Sequence, residues 1–279
     1  MVVSGKQIFA ILGAILLTVG LYWMPLKASK PLVATEKQPA LSTPENIYNF
    51  EAGLQKAKSK ATATELKKIS ILEDQIKTGI SDKNVLLNNL GKQWDLQQQP
   101  AIAAHYFEMM AFSQPSESNW LNPAYRYFDA FKLEQDPSIR AELVDKAIAC
   151  YTKVTVLNPE NLDAKTDLGI CYTETAQPMK GIMLLRDVVK EKPGHENAQF
   201  NLGLLSMKSR QFEKAVERFE KVVQINARNM DAYLYLGQAY VQKGEKTKAI
   251  TAFEKYSSLS TNADAKKQVN SYIEKLKNN

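Results

Sequence analysis

Two histidines, two cysteines and a scatter of carboxylates are the residues of this 279-residue chain that could do chemistry. His105 stands three residues before Glu108, a spacing that puts both side chains on one face of a helix. A bound metal needs three or four such donors, and no second histidine or cysteine is near that pair in sequence. His195 follows Pro193-Gly194 and belongs to a turn. Cys150 and Cys171 fall in helical stretches, where a free cysteine is ordinarily a small buried hydrophobe. A disulfide between them is the open alternative, although two cysteines make no framework for a chain this long. Gly244-Glu245-Lys246-Thr247 has the end of a phosphate-binding loop without the glycine-rich turn before it, and no G-x-S-x-G elbow occurs. Carboxylate pairs such as Glu73-Asp74 fit solvated helix surfaces. The constellations that catalysis requires are missing. The chain therefore reads as a non-enzyme with no catalytic residues, no cofactor, no metal and no small-molecule substrate.

The elements around these residues point to binding instead. Charge gives the first exclusion. Lys and Arg number 36 against 30 Asp and Glu, a net +6, but residues 84–263 hold 21 of each and are neutral. Most of the excess lies in the first thirty residues and the tail. A nucleic-acid partner would need a basic surface on the folded part, so none is expected.

Residues 8–24 read IFAILGAILLTVGLYWM, without a charge, between Lys6 and Lys27. As a helix this run spans about 25 Å at about 1.5 Å per residue, close to a hydrocarbon core of about 30 Å. Tyr22 and Trp23 sit where interfacial aromatics belong. The run is long for a secretory signal, and its best cleavage site, Leu26-Lys27-Ala28, is poor. An uncleaved transmembrane anchor within residues 1–30 is therefore favoured over a cleaved signal. The short N-terminus argues that the rest is exported, and Lys27, Lys30 and Lys37 argue for the cytoplasmic side. The expectation is a single-pass protein whose folded part is exported to the periplasmic side.

Residues 31–43 form a proline-containing linker. Thr43 and Pro44 then cap and open a helix carrying Ile47, Phe50, Leu54 and Ala57, and a second helix fits residues 64–77, closed by Gly79. These two make an N-terminal hairpin cap, 44–83. Beyond it, Gly91, Tyr125, Gly169, Gly203 and Gly237 are spaced by 34, 44, 34 and 34 residues. They define five units, 84–117, 118–161, 162–195, 196–229 and 230–263. Each second helix carries a small residue (Ala103, Ala147, Gly181, Ala215, Ala249) and, four later, a large one (Phe107, Tyr151, Leu185, Phe219, Phe253). Small residues on the two helices are expected to face each other. The second unit has ten extra residues around Asp136-Pro137-Ser138, which predicts that both of its helices are longer by about one to one and a half turns. A helix at 262–277, with Ala265, Val269, Tyr272, Ile273 and Leu276 as its apolar stripe, closes the array, leaving 264–279 as a capping segment.

This pattern resembles the tetratricopeptide repeat, with its 34-residue period and its W-x2-LG-x2-Y…A-x3-F…P signature. The resemblance implies an all-α, right-handed superhelix, an α-solenoid. It also implies that certain positions of the first helices line a concave groove. These positions are polar at the start of the array, with Asn88, Lys92, Asp95, Arg126, Asp129, Asp163 and Thr166. Towards the end they become an apolar stripe. The candidate partner-binding residues are Ile170, Phe200, Leu204, Met207, Leu234, Gln238 and Val241, a surface for a protein or peptide. The expected function is a membrane-anchored scaffold for protein–protein interaction. The alternative is an envelope-assembly or chaperone-like helper that holds unfolded polypeptides, similar to those of cytochrome maturation.

Overall fold

A computed structural model describes residues 48–79 and 81–278. Thirteen α-helices follow one another among the described residues, without a strand. After α1 (Phe50–Lys58) and α2 (Ala63–Thr78) come five pairs: α3 (Lys83–Leu96) with α4 (Pro100–Ser113), α5 (Glu117–Leu133) with α6 (Pro137–Leu157), α7 (Leu162–Thr173) with α8 (Pro178–Glu191), α9 (Glu196–Lys208) with α10 (Phe212–Ile225), and α11 (Met230–Gln242) with α12 (Lys246–Leu259). The last helix, α13 (Ala263–Asn278), packs on α12. We call the five pairs units one to five. No helix among the described residues is long and apolar enough to cross a membrane, and the expected span at 8–24 lies outside them.

Local chemistry sets the helix ends. Thr62 and Glu65 form a reciprocal capping box on α2, and Gly79 closes that helix with a left-handed φ of 68°. The same bond to the Thr62 backbone holds the Glu65 carboxyl below its ordinary range. Asn49 caps α1, its side chain accepting from the Ala52 N–H at 3.0 Å. Thr43 and Pro44 lie outside the described residues. Lys58 joins α1 to α2 by an ion pair with Glu73 at 2.8 Å, so Glu73 is not merely solvated. Each helix finds its main apolar support in unit one, α2 against α3 and α1 against α4. The Phe50 ring stacks on His105 at 3.7 Å.

The core is a chain of clusters, one running into the next, as a stack of two-helix layers requires. Trp94, Phe107, Tyr127, Phe131, Tyr151, Phe219 and Phe253 are its largest fully buried side chains. Burial of side chains of this size contributes about 1.5–3 kcal/mol each.

The glycines of the period do not face small residues, with one exception. A Cβ on Gly91 would lie 2.7 Å from the Phe107 ring, one on Gly203 2.7 Å from Phe219, and one on Gly237 2.6 Å from Phe253. The missing side chain is the space into which the aromatic ring of the second helix fits. Only unit three brings glycine to glycine: a Cβ on Gly181 would meet the Gly169 carbonyl at 2.3 Å. With Leu185 in the ring position, the two backbones close together instead.

Unit two is longer, as expected, but unevenly. Its first helix has 17 residues and its second 21, against 12 to 14 in the other units. Asp136 caps α6 through Ser138 N–H at 2.8 Å, with Pro137 in the first turn. The added turns of α6 are tied down, because Arg140 pairs with Glu174 at the end of α7 and lies over the Phe131 ring. Cys150 and Cys171 are free and buried, and burial raises both thiols above their ordinary pKa.

Candidate functional site: two faces of the helical stack

The first helices (α3, α5, α7, α9, α11) form one face of the stack and the second helices (α4, α6, α8, α10, α12) the other. On the first-helix face, an ion pair spans units one and two. Arg126 donates to Asp95 Oδ2 from Nε at 3.0 Å and from Nη2 at 2.8 Å. Its guanidinium also lies 4.9 Å from the centre of the Phe107 ring. This pair lines a cleft of about 690 Å³ with Tyr125, Asp129, Lys132 and Leu133. Asp167 lies farther along this face. Burial pushes its carboxyl up to about 6, against the hydrogen bond it accepts from the Tyr151 hydroxyl at 3.1 Å, and Asp163 raises it further.

Three acid-to-turn contacts tie the start of a first helix to the turn that ends the same unit. Glu117 accepts from Asn158 at 2.9 Å and Asn161 at 2.6 Å. Glu196 accepts from Asn226 at 2.9 Å and Asn229 at 2.8 Å. In unit three the partners are Asp163 and His195 Nε2, 3.1 Å apart. His195 Nδ1 meanwhile accepts the Ala198 N–H and so caps α9, the role that Asn161 and Asn229 play elsewhere. The turn expected at His195 is therefore a helix cap, and Asn-x-x-Asn at 158–161 and 226–229 was its visible signal. This junction borders a cleft of about 410 Å³ that includes Asp163, His195, Asn197 and Phe200.

The candidate partner-binding residues separate into three groups. Phe200, Leu204, Met207, Leu234 and Val241 come together on the core of units four and five. They are half-buried rather than an open stripe. Phe200 is edge-on to Phe219 and to Tyr235, at 5.7 Å in each case. Ile170 is half-buried against the clusters around units two and three. Gln238 is exposed. Thr166, expected in the groove, is fully buried and donates to the Leu162 carbonyl at 2.7 Å. Helix rotation of a few tens of degrees separates a groove position from a seam position, and the period alone does not resolve it.

The second-helix face carries a trio that occurs twice. In units one and two, Tyr127 donates to Glu108 at 2.7 Å, and Lys146 lies 5.5 Å from the centre of the Tyr127 ring. In units four and five, Tyr240 donates to Glu220, and Lys248 lies 5.4 Å from the centre of the Tyr240 ring. Burial lowers the pKa of His105, which is close to the first trio. Among the described residues no three His, Cys, Asp or Glu side chains are grouped to hold a metal.

Stacked helix pairs in register, seamed by glycine against an aromatic ring, define a tetratricopeptide-like helical-repeat protein. Solved structures share the fold. A tetratricopeptide repeat protein from Parabacteroides merdae superimposes with a TM-score of 0.56 at 15% identity, over 80% of this chain and 85% of that one. MamA from Desulfovibrio magneticus RS-1 gives 0.51 at 21% identity, over 64% and 96%. Another crystal structure of MamA gives 0.50 at 22%, over 61% and 94%. At these identities the likeness is one of fold. The family model for regulator of microtubule dynamics proteins 1-3 matches residues 204–279, from within α9 to the end of the chain. No curated protein matches the chain in sequence.

Proposed function

We propose that this chain is a membrane-anchored, right-handed tetratricopeptide-type scaffold that holds a protein partner on the first-helix face of units three to five. The observation that carries this reading is the gathering of Phe200, Leu204, Met207, Leu234 and Val241 into one half-buried apolar strip. That strip borders a cleft through Phe200 and an exposed polar edge at Gln238. Half-burial leaves each side chain a free edge, while the core beneath fixes its position, so a partner meets a surface that is already ordered. The neutral charge of residues 84–263 suits a protein or peptide rather than a polyanion. The anchor rests on the uncharged run at 8–24 with its interfacial Tyr22 and Trp23. The folded part is assigned to the exported side.

Photocrosslinking from Gln238, in the full chain in its native membrane, tests the scaffold. One dominant protein adduct, lost when Leu204 is replaced by Asp in a chain that keeps its helical signal, is the expected result. Adducts spread over many unrelated polypeptides would replace the scaffold with a polypeptide-holding helper. A reporter fused after Asn279 tests the side, and activity of a cytoplasm-only reporter would overturn export.

A further inference from the structure

The groove between the second helices of units one and two is filled by the chain itself. Tyr48, just ahead of α1, packs on the core there, and its backbone N–H donates to Glu142 of α6 at 2.7 Å, across 94 residues of sequence. Its hydroxyl is fully buried, close to Glu142 and Glu108, which together with burial raise its pKa. Two residues on, Phe50 opens α1 and stacks on His105 of α4. A tyrosine, an extended capping residue and a short aromatic-headed helix thus close a groove whose floor carries Glu108, Tyr127 and Lys146.

The groove between α10 and α12 carries the same three side-chain types as Glu220, Tyr240 and Lys248, and no described residue fills it. Its volume is about 570 Å³, with Val223, Tyr233 and Leu236 contributing apolar surface. That is within the range of about 300–1,000 Å³ of side-chain and ligand pockets. The two intervening grooves do not share the trio. The register puts Thr152 and Arg186 where Glu108 and Glu220 stand, and Ser206 where Tyr240 stands; in unit two that position is Phe128, and Tyr127 beside it supplies the hydroxyl. In the groove of unit three, Lys180 is taken up by the Tyr172 hydroxyl at 2.7 Å.

We propose that the outer groove between α10 and α12 is a second docking site, and that its occupant is a partner's tyrosine-bearing segment leading into a short helix. The partner's aromatic ring lies on Val223, Tyr233 and Leu236, as Tyr48 lies on the core of unit two. A carboxylate oxygen of Glu220 accepts an N–H or O–H from the segment, the part that Glu142 plays for Tyr48. Lys248, paired with Glu245 at 2.7 Å, covers the ring edge with its methylene stem. The site is on the opposite face from the apolar strip of α9 and α11, and it stands whether or not that strip binds a partner.

The test uses the full chain and a labelled synthetic peptide of residues 48–58, which has the stated chemistry. Saturable binding by fluorescence anisotropy is expected, weakened by at least about tenfold by Thr251→Trp, which closes the lip from an exposed position. Replacing the peptide's tyrosine by alanine should have a similar effect, and Glu220→Gln a smaller one. A photoreactive group at the peptide's Phe50 position should mark α10 to α12. Absence of saturable binding, or binding unchanged by Thr251→Trp in a chain of unaltered helical signal, overturns the proposal. Self-association of the chain that Thr251→Trp abolishes makes a second copy the occupant, and overturns the partner assignment.

Discussion

Units four and two solve the same packing problem in opposite ways. In unit four Gly203 leaves a space on the first helix and Phe219 of the second helix fills it. In unit two the first helix supplies the ring itself: Tyr125 stands at the glycine position, 39% exposed and edge-on to Tyr151 with centroids 6.0 Å apart. Tyr151 is fully buried nonetheless and is tethered by its hydroxyl to Asp167 of the next unit. The glycine is therefore needed for the ring that faces it, not for the period as such. Where the ring is held by a hydrogen bond from another unit and the helices are lengthened, a large side chain takes its place.

The largest effect that would break this comparison is removal of the ring. Phe219→Ala is expected to destabilise the array by about 3–5 kcal/mol, the range for loss of a fully buried aromatic. Chemical denaturation followed by circular dichroism measures it, and a loss below about 1 kcal/mol would mean that the seam does not carry unit four. Gly203→Ala should cost about 1–3 kcal/mol, because its Cβ must push a packed ring and not a flexible chain end. The converse change, Tyr125→Gly, should be far milder, within about 1 kcal/mol, since more than a third of that side chain is already in water. Combining Gly203→Ala with Phe219→Leu should return part of the loss, because the two sites touch. Simple additivity in that double variant would show that glycine and ring are independent.

These residues also show where the amino-acid pattern is legible. The period, the helix pairs, the cap at Asp136 and the length of unit two are local properties, and spacing or a single capping residue encodes them. The partner of each glycine is not local. Small residues at Ala103 and Ala215 looked like the natural counterparts of Gly91 and Gly203, yet the rings four residues later occupy the space. The same ambiguity placed Thr166 in the groove although it is buried, and made a half-buried strip read as an open one. Tyr48 was silent because its contact with Glu142 spans 94 residues and belongs to no repeat position. Glu108 and Glu220 share a register position, as do Lys146 and Lys248, but Tyr127 stands one position before that of Tyr240, and charged residues on helices resemble solvated surface.

The tether between units two and three has its own signature in pH. The Asp167 carboxyl is pushed up to about 6 by burial, above its ordinary 3.8. The unfolded chain therefore gives up this proton first as pH rises. The stabilising contribution of the protonated form is complete below about pH 4, falls between about pH 4 and 6, and is absent above that. At about 1.4 kcal/mol per pKa unit, the deficit at neutral pH is about 1–3 kcal/mol. Asp167→Asn retains an acceptor for the Tyr151 hydroxyl without the buried charge. It should raise the midpoint of thermal unfolding at pH 7 and flatten the dependence of stability on pH between 4 and 6. An unchanged slope in that variant would assign the titration to another group.

The smallest effects separate the turns. Asn229 caps α11 through the Ala232 N–H at 2.8 Å and also donates to Glu196. Its replacement by alanine removes both and should cost about 1–2 kcal/mol. At the turn before α9, His195 does the same two jobs with one ring, Nδ1 accepting from Ala198 and Nε2 facing Asp163. An asparagine there has the acceptor for the cap and an amide N–H₂ for the carboxylate, as its counterparts at 161 and 229 do. His195→Asn should therefore leave stability within about 0.5 kcal/mol, whereas His195→Ala should lose about 1 kcal/mol, the worth of a cap. If the asparagine variant falls as far as the alanine variant, the imidazole contributes by its packing volume at 6% exposure. The joint between units three and four would then differ in kind from the asparagine joints on either side of it.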